Sequence, residues 1–357
     1  MTHVFVAPHA DDVALSCGGL IASLRELGQS VTILTVYSGG TGEGTEPSDY
    51  RRQALGFGTK TVWPNSQAFN RSDIAAEYPA QGSVGVAAPW QADPDRVAVT
   101  QDRANTQARQ FWQRAAWTRN ANITNDKHAD RPLRDDVPTQ GTLVRFDFEA
   151  SDANATRRIE DERYAYFVEA ALVDLGLADA VHRGYEGDAA LLGSPFEDDE
   201  PPTDILRREI LRLEPQQVYF PLAVGGHVDH RLCREAALAL LSDGEAWVMP
   251  IPSLVGSLSF YEDFPYAWWS SFSGPAALAR REVDLPDSVL LEARYADISD
   301  QLERKIAGLR VYTSQMQRLF DDEQDMLDAV TGFAARVAEA GGVATGAAER
   351  YWNVVRM

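Results

Sequence analysis

The chain has 357 residues and a formal net charge of -20, which makes nucleic acid and anionic membrane surfaces poor partners. Its 45% apolar and 10% aromatic residues are enough for a large core, so a folded chain is expected. No stretch approaches about 18 consecutive apolar residues, so no membrane span is predicted. Cys17 and Cys233 are too few for a disulfide scaffold, and we expect buried free thiols. The N-terminus lacks the features of a signal peptide, which predicts a cytoplasmic location.

The first elements along the chain predict a parallel sheet. Residues 3–8 (HVFVAP) predict a strand, and residues 13–28 predict a helix with leucine and isoleucine at helical spacing. A second buried strand is predicted at residues 30–38 (SVTILTVYS). Continuous β-branched runs that alternate with helices are typical of a parallel sheet with covered faces. We therefore predict an α/β fold: a Rossmann-like, mostly parallel sheet with helices on both faces. The Gly18-Gly19 pair would let the first helix pack closely against that sheet.

This alternation stops near residue 42 and resumes at residue 156. Residues 43–155 hold four tryptophans among many polar residues, with no sustained period, and their best predicted helix is 101–118. Because structureless loops of this length are uncommon in compact domains, we predict an insertion that forms a lid or small subdomain. The α/β domain would then comprise residues 1–42 and 156–357. We expect most of the tryptophans to form the core of the insertion.

The elements after the insertion again alternate between helix and strand. In chain order they are predicted as a helix (156–176), a short strand (178–185), a helix (201–214), a buried strand (216–226), a helix that begins at residue 227, a strand and loop (247–265) and a mostly helical C-terminal tail (296–340). The acidic run at residues 197–200, which precedes two prolines, predicts a solvated loop.

Two polar clusters follow strands of the predicted sheet. Residues 8–12 (PHADD) follow the first strand, and residues 227–230 (HVDH) follow the strand predicted at 216–226. Because the carboxyl ends of parallel strands share one edge of a sheet, where ligands bind, we expect both clusters at the same rim. Three of the six histidines lie in these clusters; for His3, His128 and His182 we expect ordinary surface or core roles.

Imidazoles together with a carboxylate form the ligand set of a catalytic zinc ion. A divalent cation would also compensate Asp11 and Asp12, which repel each other and are costly to desolvate. One of the two could bind the ion while the other accepts a proton from the bound water. The alternative is that either aspartate caps the helix that follows it, since aspartate is a preferred N-cap residue.

The segment PHADD before a helix of small residues, with HVDH late in the sheet, resembles the PIG-L/LmbE-like N-acetylglucosaminyl deacetylases. Their hallmark is an (A/P)HPDD segment after the first strand and an HxxH segment downstream. Further similarities are RRIE (157–160), YEDFPY (261–266) and YTSQ (312–315). The resemblance covers residues 3–42 and about 156–355. It departs at Ala10, where the family has proline, and at Val13, where many members have glutamate.

The resemblance implies a site in which His9, Asp12 and His230 bind zinc. Asp11 would be the general base that deprotonates the metal-bound water. His227 would donate to the carbonyl oxygen as it becomes an oxyanion, or protonate the leaving amine. A site of histidine and aspartate ligands could also take Fe(II) or Co(II).

The implied reaction is hydrolysis of an N-acetyl group, with an N-acetylated sugar or glycoconjugate as the small-molecule substrate. Arg157, Arg158 and Asp263 are predicted to contact that substrate; for the two arginines a surface ion pair is the alternative. The identity of the acyl acceptor stays open, and a homo-oligomer is compatible with the sequence.

Three other classes remain as alternatives. His9-Ala10-Asp11 is also the HxD pair of non-haem Fe(II) oxygenases, although those usually have β-rich folds. A Mg²⁺-dependent receiver module would lack its lysine at a later strand end and would leave HVDH unexplained. A metal-binding carbohydrate-recognition protein without turnover would keep the same side chains.

Overall fold

The computed structural model describes residues 1–39, 153–241, 256–270, 272, 274–279 and 283–356. The predicted insertion, its helix at 101–118 and its tryptophans lie almost entirely outside these residues, as does the first part of the strand and loop predicted at 247–265. The division into two domains therefore stays a prediction.

The described strands form one seven-stranded sheet in the order β3-β2-β1-β4-β5-β7-β6. Their bounds are β1 Thr2–Ala7, β2 Ser30–Thr35, β3 Ala171–Asp174, β4 Gln217–Pro221, β5 Leu258–Tyr261, β6 Leu290–Asp297 and β7 Ala348–Arg356. Strands β1 to β5 pair in parallel, and β7 pairs antiparallel with both β5 and β6. The predicted α/β fold with a mostly parallel sheet is confirmed.

The described helices lie on both faces of this sheet. Their bounds are α1 Asp12–Glu26, α2 Ala153–Phe167, α3 Asp188–Leu191, α4 Thr203–Leu213, α5 Val228–Leu241, α6 Tyr266–Trp269, α7 Pro275–Ala279, α8 Leu302–Leu309, α9 Thr313–Leu319 and α10 Glu323–Gly341. Helices α1, α2 and α8 pack together, and α4 packs with α5. Since α1 and α2 lead from β1 towards β3 while α4 and α5 lead the opposite way, right-handed crossovers place the two groups on opposite faces.

The core lies around the central strand. Val4, Phe5 and Val6 of β1 are fully buried, as expected for a strand covered on both sides. Cys17 and Cys233 are buried free thiols, as predicted. None of the described helices combines the length and the apolar character needed to cross a bilayer.

Three predicted elements are wrong in type or extent. The helix predicted at 156–176 ends at Phe167, and residues 171–174 form β3. Residues 178–185 form no strand; they contain a 3-10 turn at Ala180–His182, because the side chain of Asp179 accepts the N–H of Val181 and caps that turn. The tail begins in strand β6, whereas helices follow only from Leu302, and the aromatic segment near the C-terminus forms β7.

The glycine pair of α1 lies in close contact with the C-terminal part of the chain. A Cβ on Gly19 would lie 2.7 Å from Ile298, and a Cβ on Gly18 would lie 3.1 Å from the side chain of Lys305. The close approach at these two positions is therefore to Ile298, which directly follows β6, and to α8.

Candidate metal centre

The strand order places both polar clusters at one point of the sheet edge. The chain leaves β1 towards β2 on one side, and β4 pairs with β1 on the other side. The gap beyond the ends of β1 and β4 is thus the topological switch point, where doubly wound sheets bind ligands. PHADD follows β1 and HVDH follows β4, so the structure brings the two clusters together.

Asp12 lies between two imidazoles. Its Oδ2 is 3.2 Å from Nδ1 of His9 and 3.3 Å from Nε2 of His230, and none of the three side chains is more than 10% exposed. The Nε2 atom of His230 is buried and has no hydrogen-bond partner among the described residues. Buried polar atoms normally have a partner, and a bare ring nitrogen next to a carboxylate is a ligand atom that a cation can take. The donor set therefore fits a divalent metal ion.

Two overlapping groups of described residues could bind a metal ion. In each group every residue offers one ligand atom, and these atoms lie within 4.8 Å of one another. The first comprises His9, His227 and His230, and the second comprises His9, Asp179 and Asp229. However, the backbone N–H of Asp229 lies 3.3 Å from Nδ1 of His227 and donates to it. The proton of the neutral His227 ring is then on Nε2, which favours this ring as a donor and not as a ligand.

Two buried carboxylates orient the imidazoles that flank Asp12. Nε2 of His9 lies 2.9 Å from Oδ2 of Asp229, and Nδ1 of His230 lies 2.6 Å from Oδ1 of Asp263. Because each carboxylate accepts one ring N–H, the other nitrogen of the neutral ring is bare, and in both rings it faces Asp12. A carboxylate behind each histidine is the usual arrangement around a metal ion. The sequence analysis missed this role, although Asp229 stands inside HVDH.

Asp263 lies in a different place from the one expected of a substrate contact. It is 1% exposed, and besides the ring of His230 it accepts the N–H of Val224 at 2.9 Å. Both of its oxygens are therefore engaged behind His230. The geometry gives Asp263 an orienting role, which its position in YEDFPY did not reveal.

The charges of the metal-free cluster shift its pKa values in opposite directions. Burial raises the pKa of Asp12, but the imidazoles of His230 and His9 outweigh burial and hold it well below its usual range. Burial lowers the pKa of His230, but the carboxylates of Asp12 and Asp263 raise it to about 9. Burial lowers the pKa of His227 to about 3, with help from the neighbouring imidazoles, so this ring is neutral near pH 7.

Asp11 differs from Asp12 in its surroundings. It occupies the N-cap position of α1 but makes no capping hydrogen bond through its side chain. Asp12 instead accepts the backbone N–H of His9 at 2.7 Å. Burial and the neighbouring charge of Asp12 raise the pKa of Asp11. The N-cap alternative is therefore not the geometry of Asp11, which lines the cavity beside His9 and Asp12.

This cavity has a volume of about 180 Å³ and contains the polar groups expected of a small-molecule site. Arg157 lines it and donates to Oδ2 of Asp179, which also lines it, at 2.9 Å. Arg158 is exposed and is not among the residues that line the cavity. Consecutive residues of a helix point in different directions, so α2 can direct only one of the two arginines to the site.

Two of the sequence similarities to the family meet in space. Glu160 of RRIE accepts the backbone N–H of Ser314 at 2.8 Å and its hydroxyl at 2.6 Å. This contact ties α2 to the start of α9 and brings Gln315 to the cavity wall. Of the histidines outside the two clusters, His3 is buried in β1, His182 bonds to Asn154, and His128 lies outside the described residues.

The sequence comparisons place this chain beside deacetylases. The family model "PIG-L: GlcNAc-PI de-N-acetylase" matches residues 4–61. A 2'-N-acetylparomamine deacetylase of Streptomyces fradiae is 34% identical over 158 residues, which are 42% of this chain and 47% of the relative. The match thus spans about half the length of that curated relative.

The comparison of structures supports the fold. A deacetylase of the teicoplanin biosynthesis pathway, in a complex described as deacetylase-bog, superposes with a TM-score of 0.55 at 20% identity, covering 100% of this chain and 99% of the other. The zinc-inhibited form of teicoplanin deacetylase gives a TM-score of 0.54 at 20% identity with the same coverage. At this level of identity the likeness establishes a shared fold.

Proposed function

Because this chain is a relative of the PIG-L/LmbE-like deacetylases, we propose that it is a metal-dependent hydrolase that removes an N-acetyl group from an amino-sugar-type substrate. One observation carries the proposal: Nδ1 of His9 and Nε2 of His230 converge on Oδ2 of Asp12, beside a cavity lined by Asp11 and His227. These are the side chains that the sequence pattern singled out, and they meet at the switch point of the sheet.

His9, Asp12 and His230 would hold the metal ion. Zinc is the first candidate, and Fe(II) and Co(II) also suit histidine and aspartate ligands. When bound, such an ion polarises the amide carbonyl and lowers the pKa of a coordinated water. A zinc-inhibited form is described for the teicoplanin deacetylase, so the zinc concentration should be varied in any assay of this chain.

Asp11 would accept the proton of the attacking water. Its carboxyl group lines the cavity and is not used to cap α1, so it is available for proton transfer. The raised pKa of this group brings its basicity closer to that of a proton acceptor working near neutral pH.

His227 would act on the other side of the scissile amide. Its neutral ring carries the proton on Nε2, because Nδ1 accepts the N–H of Asp229. This N–H group can donate a hydrogen bond to the carbonyl oxygen as negative charge develops there. The leaving amine would take its proton from Asp11, which gains one from the attacking water. Arg157 and Asp179 add a donor and an acceptor at the cavity wall, which is what recognition of sugar hydroxyl groups requires.

The test is release of free amine from a panel of N-acetylated sugars and glycoconjugates, with elemental analysis of the same sample. Asp11→Asn should keep its metal and lose at least about 100-fold in turnover, as expected when a general base is removed. Asp204→Asn on the exposed start of α4 is the matched control and should keep wild-type turnover.

Three results would count against the proposal. Full activity of the metal-loaded Asp11→Asn variant would refute the role of Asp11. Unchanged metal content in His230→Ala would refute ligation by His230. Stoichiometric metal with sugar binding and no turnover across the panel would favour the alternative of a carbohydrate-recognition protein.

A further inference from the structure

Arg183 holds the carboxylate that orients His9. Its Nη2 atom lies 2.6 Å from Oδ1 of Asp229, and the same guanidinium group contacts Asp199 through Nε at 3.1 Å and through Nη2 at 2.9 Å. Its Nη1 atom donates to the carbonyl oxygen of Ala178 at 2.6 Å. The arginine side chain is 18% exposed and also lies over the ring of Tyr37, 4.7 Å from the centroid. It is thus fixed on several sides.

Asp229 in turn has both oxygens committed. Its side chain is fully buried, with Oδ1 bound by Arg183 and Oδ2 at 2.9 Å from Nε2 of His9. Oδ2 also accepts the backbone N–H of Ala180 at 3.1 Å. A buried carboxylate needs such compensation, and the only charged group that approaches Oδ1 among the described residues is this guanidinium. The position of Asp229 therefore depends on Arg183.

The other end of the network is also anchored. The hydroxyl of Tyr185 donates to Oδ2 of Asp199 at 2.8 Å and accepts the backbone N–H of Phe196 at 2.7 Å. The rings of Tyr185 and Phe196 stack with their centroids 4.0 Å apart. Asp199 belongs to the acidic run predicted as a solvated loop; its neighbours are exposed, but Asp199 itself is engaged. These contacts thus hold the segment 183–199 next to Asp229, behind the candidate metal ligand His9.

We propose that Arg183, held in place by Asp199, is a positioning residue for the candidate metal ligand His9. By fixing Asp229 as the acceptor for Nε2 of His9, it keeps the bare Nδ1 atom directed at Asp12. The inference rests on the proposed function only for its effect on turnover, since the effect on metal binding can be measured separately.

The experiment compares two arginines that each bind a buried carboxylate. Arg212 lies on α4, with its Nε 2.7 Å from Oε2 of Glu209, whose side chain is 1% exposed, and it does not line the cavity. Arg183→Met and Arg212→Met therefore each remove one guanidinium from a buried carboxylate, and only the first change touches the network behind His9. The probe is Zn²⁺, with its affinity measured by competition with a chelator, alongside the unfolding midpoint of the metal-free protein.

Arg183→Met should lower the affinity for Zn²⁺ by about 10- to 100-fold, the usual effect of losing a partner behind a metal ligand. Arg183→Lys keeps the charge beside Asp229 and should recover part of that loss. Arg212→Met should leave the affinity at the wild-type value even where the two methionine variants lose the same stability. Wild-type Zn²⁺ affinity in a folded Arg183→Met protein would overturn the inference.

If Arg183→Met does not fold, Asp199→Asn takes its place. It keeps the shape of the side chain and weakens the anchor of Arg183, so it should reduce the Zn²⁺ affinity in the same direction, and wild-type affinity would overturn the inference. A lowered affinity without deacetylation by the wild-type protein would refute the proposed function alone. Deacetylation with an unchanged affinity in the variants would refute the positioning role alone.

Discussion

Removal of the carboxylate of Glu349 should destabilise the fold by about 3–5 kcal/mol, the range for a buried ion pair that loses one partner. Glu349 lies on β7, with Oε1 2.6 Å from Nζ of Lys305, and both side chains are 4% exposed. The same carboxylate accepts the backbone N–H groups of Gly19 at 2.9 Å and of Leu20 at 2.7 Å. Glu349→Ala would leave a buried ammonium group without its counter-charge and would remove the carboxylate contacts of two buried N–H groups.

A series of variants separates these contributions. Glu349→Gln keeps an acceptor but removes the charge, so the smaller loss of about 1–3 kcal/mol is expected from an impaired buried hydrogen bond. Lys305→Met combined with Glu349→Gln removes both charges and should recover most of the loss, because a buried pair replaced as a unit is often nearly neutral. Glu292→Ala, which breaks the half-exposed pair with Arg294, is the control and should cost at most about 1 kcal/mol.

The assay is urea unfolding of the metal-free proteins, with the midpoints compared at an unchanged dependence on urea concentration. The ordering should be Glu349→Ala as the least stable variant, then Glu349→Gln, then the double variant. The reasoning would be refuted if Glu349→Ala stayed within about 1 kcal/mol of the wild type. It would also be refuted if the double variant were no more stable than Glu349→Ala, since the loss would then not come from an unpaired charge.

Three further predictions concern single positions. Gly19→Ala places a Cβ 2.7 Å from Ile298 and should cost about 1–3 kcal/mol by overpacking; an unchanged melting temperature would contradict this. Gly225→Ala forces a side chain at φ +88°, 2.6 Å from Tyr266 beside HVDH, and should lower turnover together with metal affinity, so wild-type values of both would argue against it. Burial raises the pKa of Asp161 to about 8, so between pH 3.8 and about 8 the folded protein keeps this proton while the unfolded chain loses it. The free energy of unfolding should therefore fall as the pH rises through this range, and Asp161→Asn should make that dependence on pH weaker. The same dependence on pH in the variant and the wild type would exclude the assignment.

The candidate metal centre was open to prediction because its proposed ligands stand in two short runs of sequence. PHADD and HVDH each follow a strand that β-branched residues make recognisable, and the parallel topology then fixes both runs at one rim. His9 and His230 are 221 positions apart in the sequence, but this did not obscure the site, because each cluster directly follows a recognisable strand. The sequence pattern thus predicted the edge of the sheet at which these residues meet.

The groups behind the proposed ligands follow no such pattern. Arg183 reaches Asp229 from a segment predicted as a strand, and that segment is held by side-chain contacts instead of a backbone ladder. Asp199 looked like one member of a solvated acidic run. Contacts of this kind depend on the path of irregular backbone, which has neither the helical nor the strand period on which sequence interpretation relies.

The misassigned elements have a related cause. The short run Ala171–Asp174 is compatible both with a continuation of the preceding helix and with a buried strand. It forms a strand because it pairs with β2. Strands β6 and β7 are joined only after three intervening helices, and the antiparallel pair is formed by residues more than fifty positions apart. The local sequence therefore predicts such strands poorly, because their stability comes from pairing with residues far away in the chain.

The two adjacent aspartates show why one acidic pair can serve two different purposes. Asp12 has a single oxygen that accepts the N–H of His9 and faces both imidazoles, so its position is fixed by the groups that would share the cation. Asp11 makes no capping bond, lines the cavity, and keeps a raised pKa because it is buried and because its neighbour is charged. Since one helical residue turns about 100°, neighbouring carboxylates at the start of α1 cannot face the same way. The repulsion between them then favours the ionised form of Asp12 and makes the carboxyl group of Asp11 the more basic one. Metal-assisted hydrolysis of an amide needs both, an ionised carboxylate as a ligand and a more basic carboxylate as a proton acceptor.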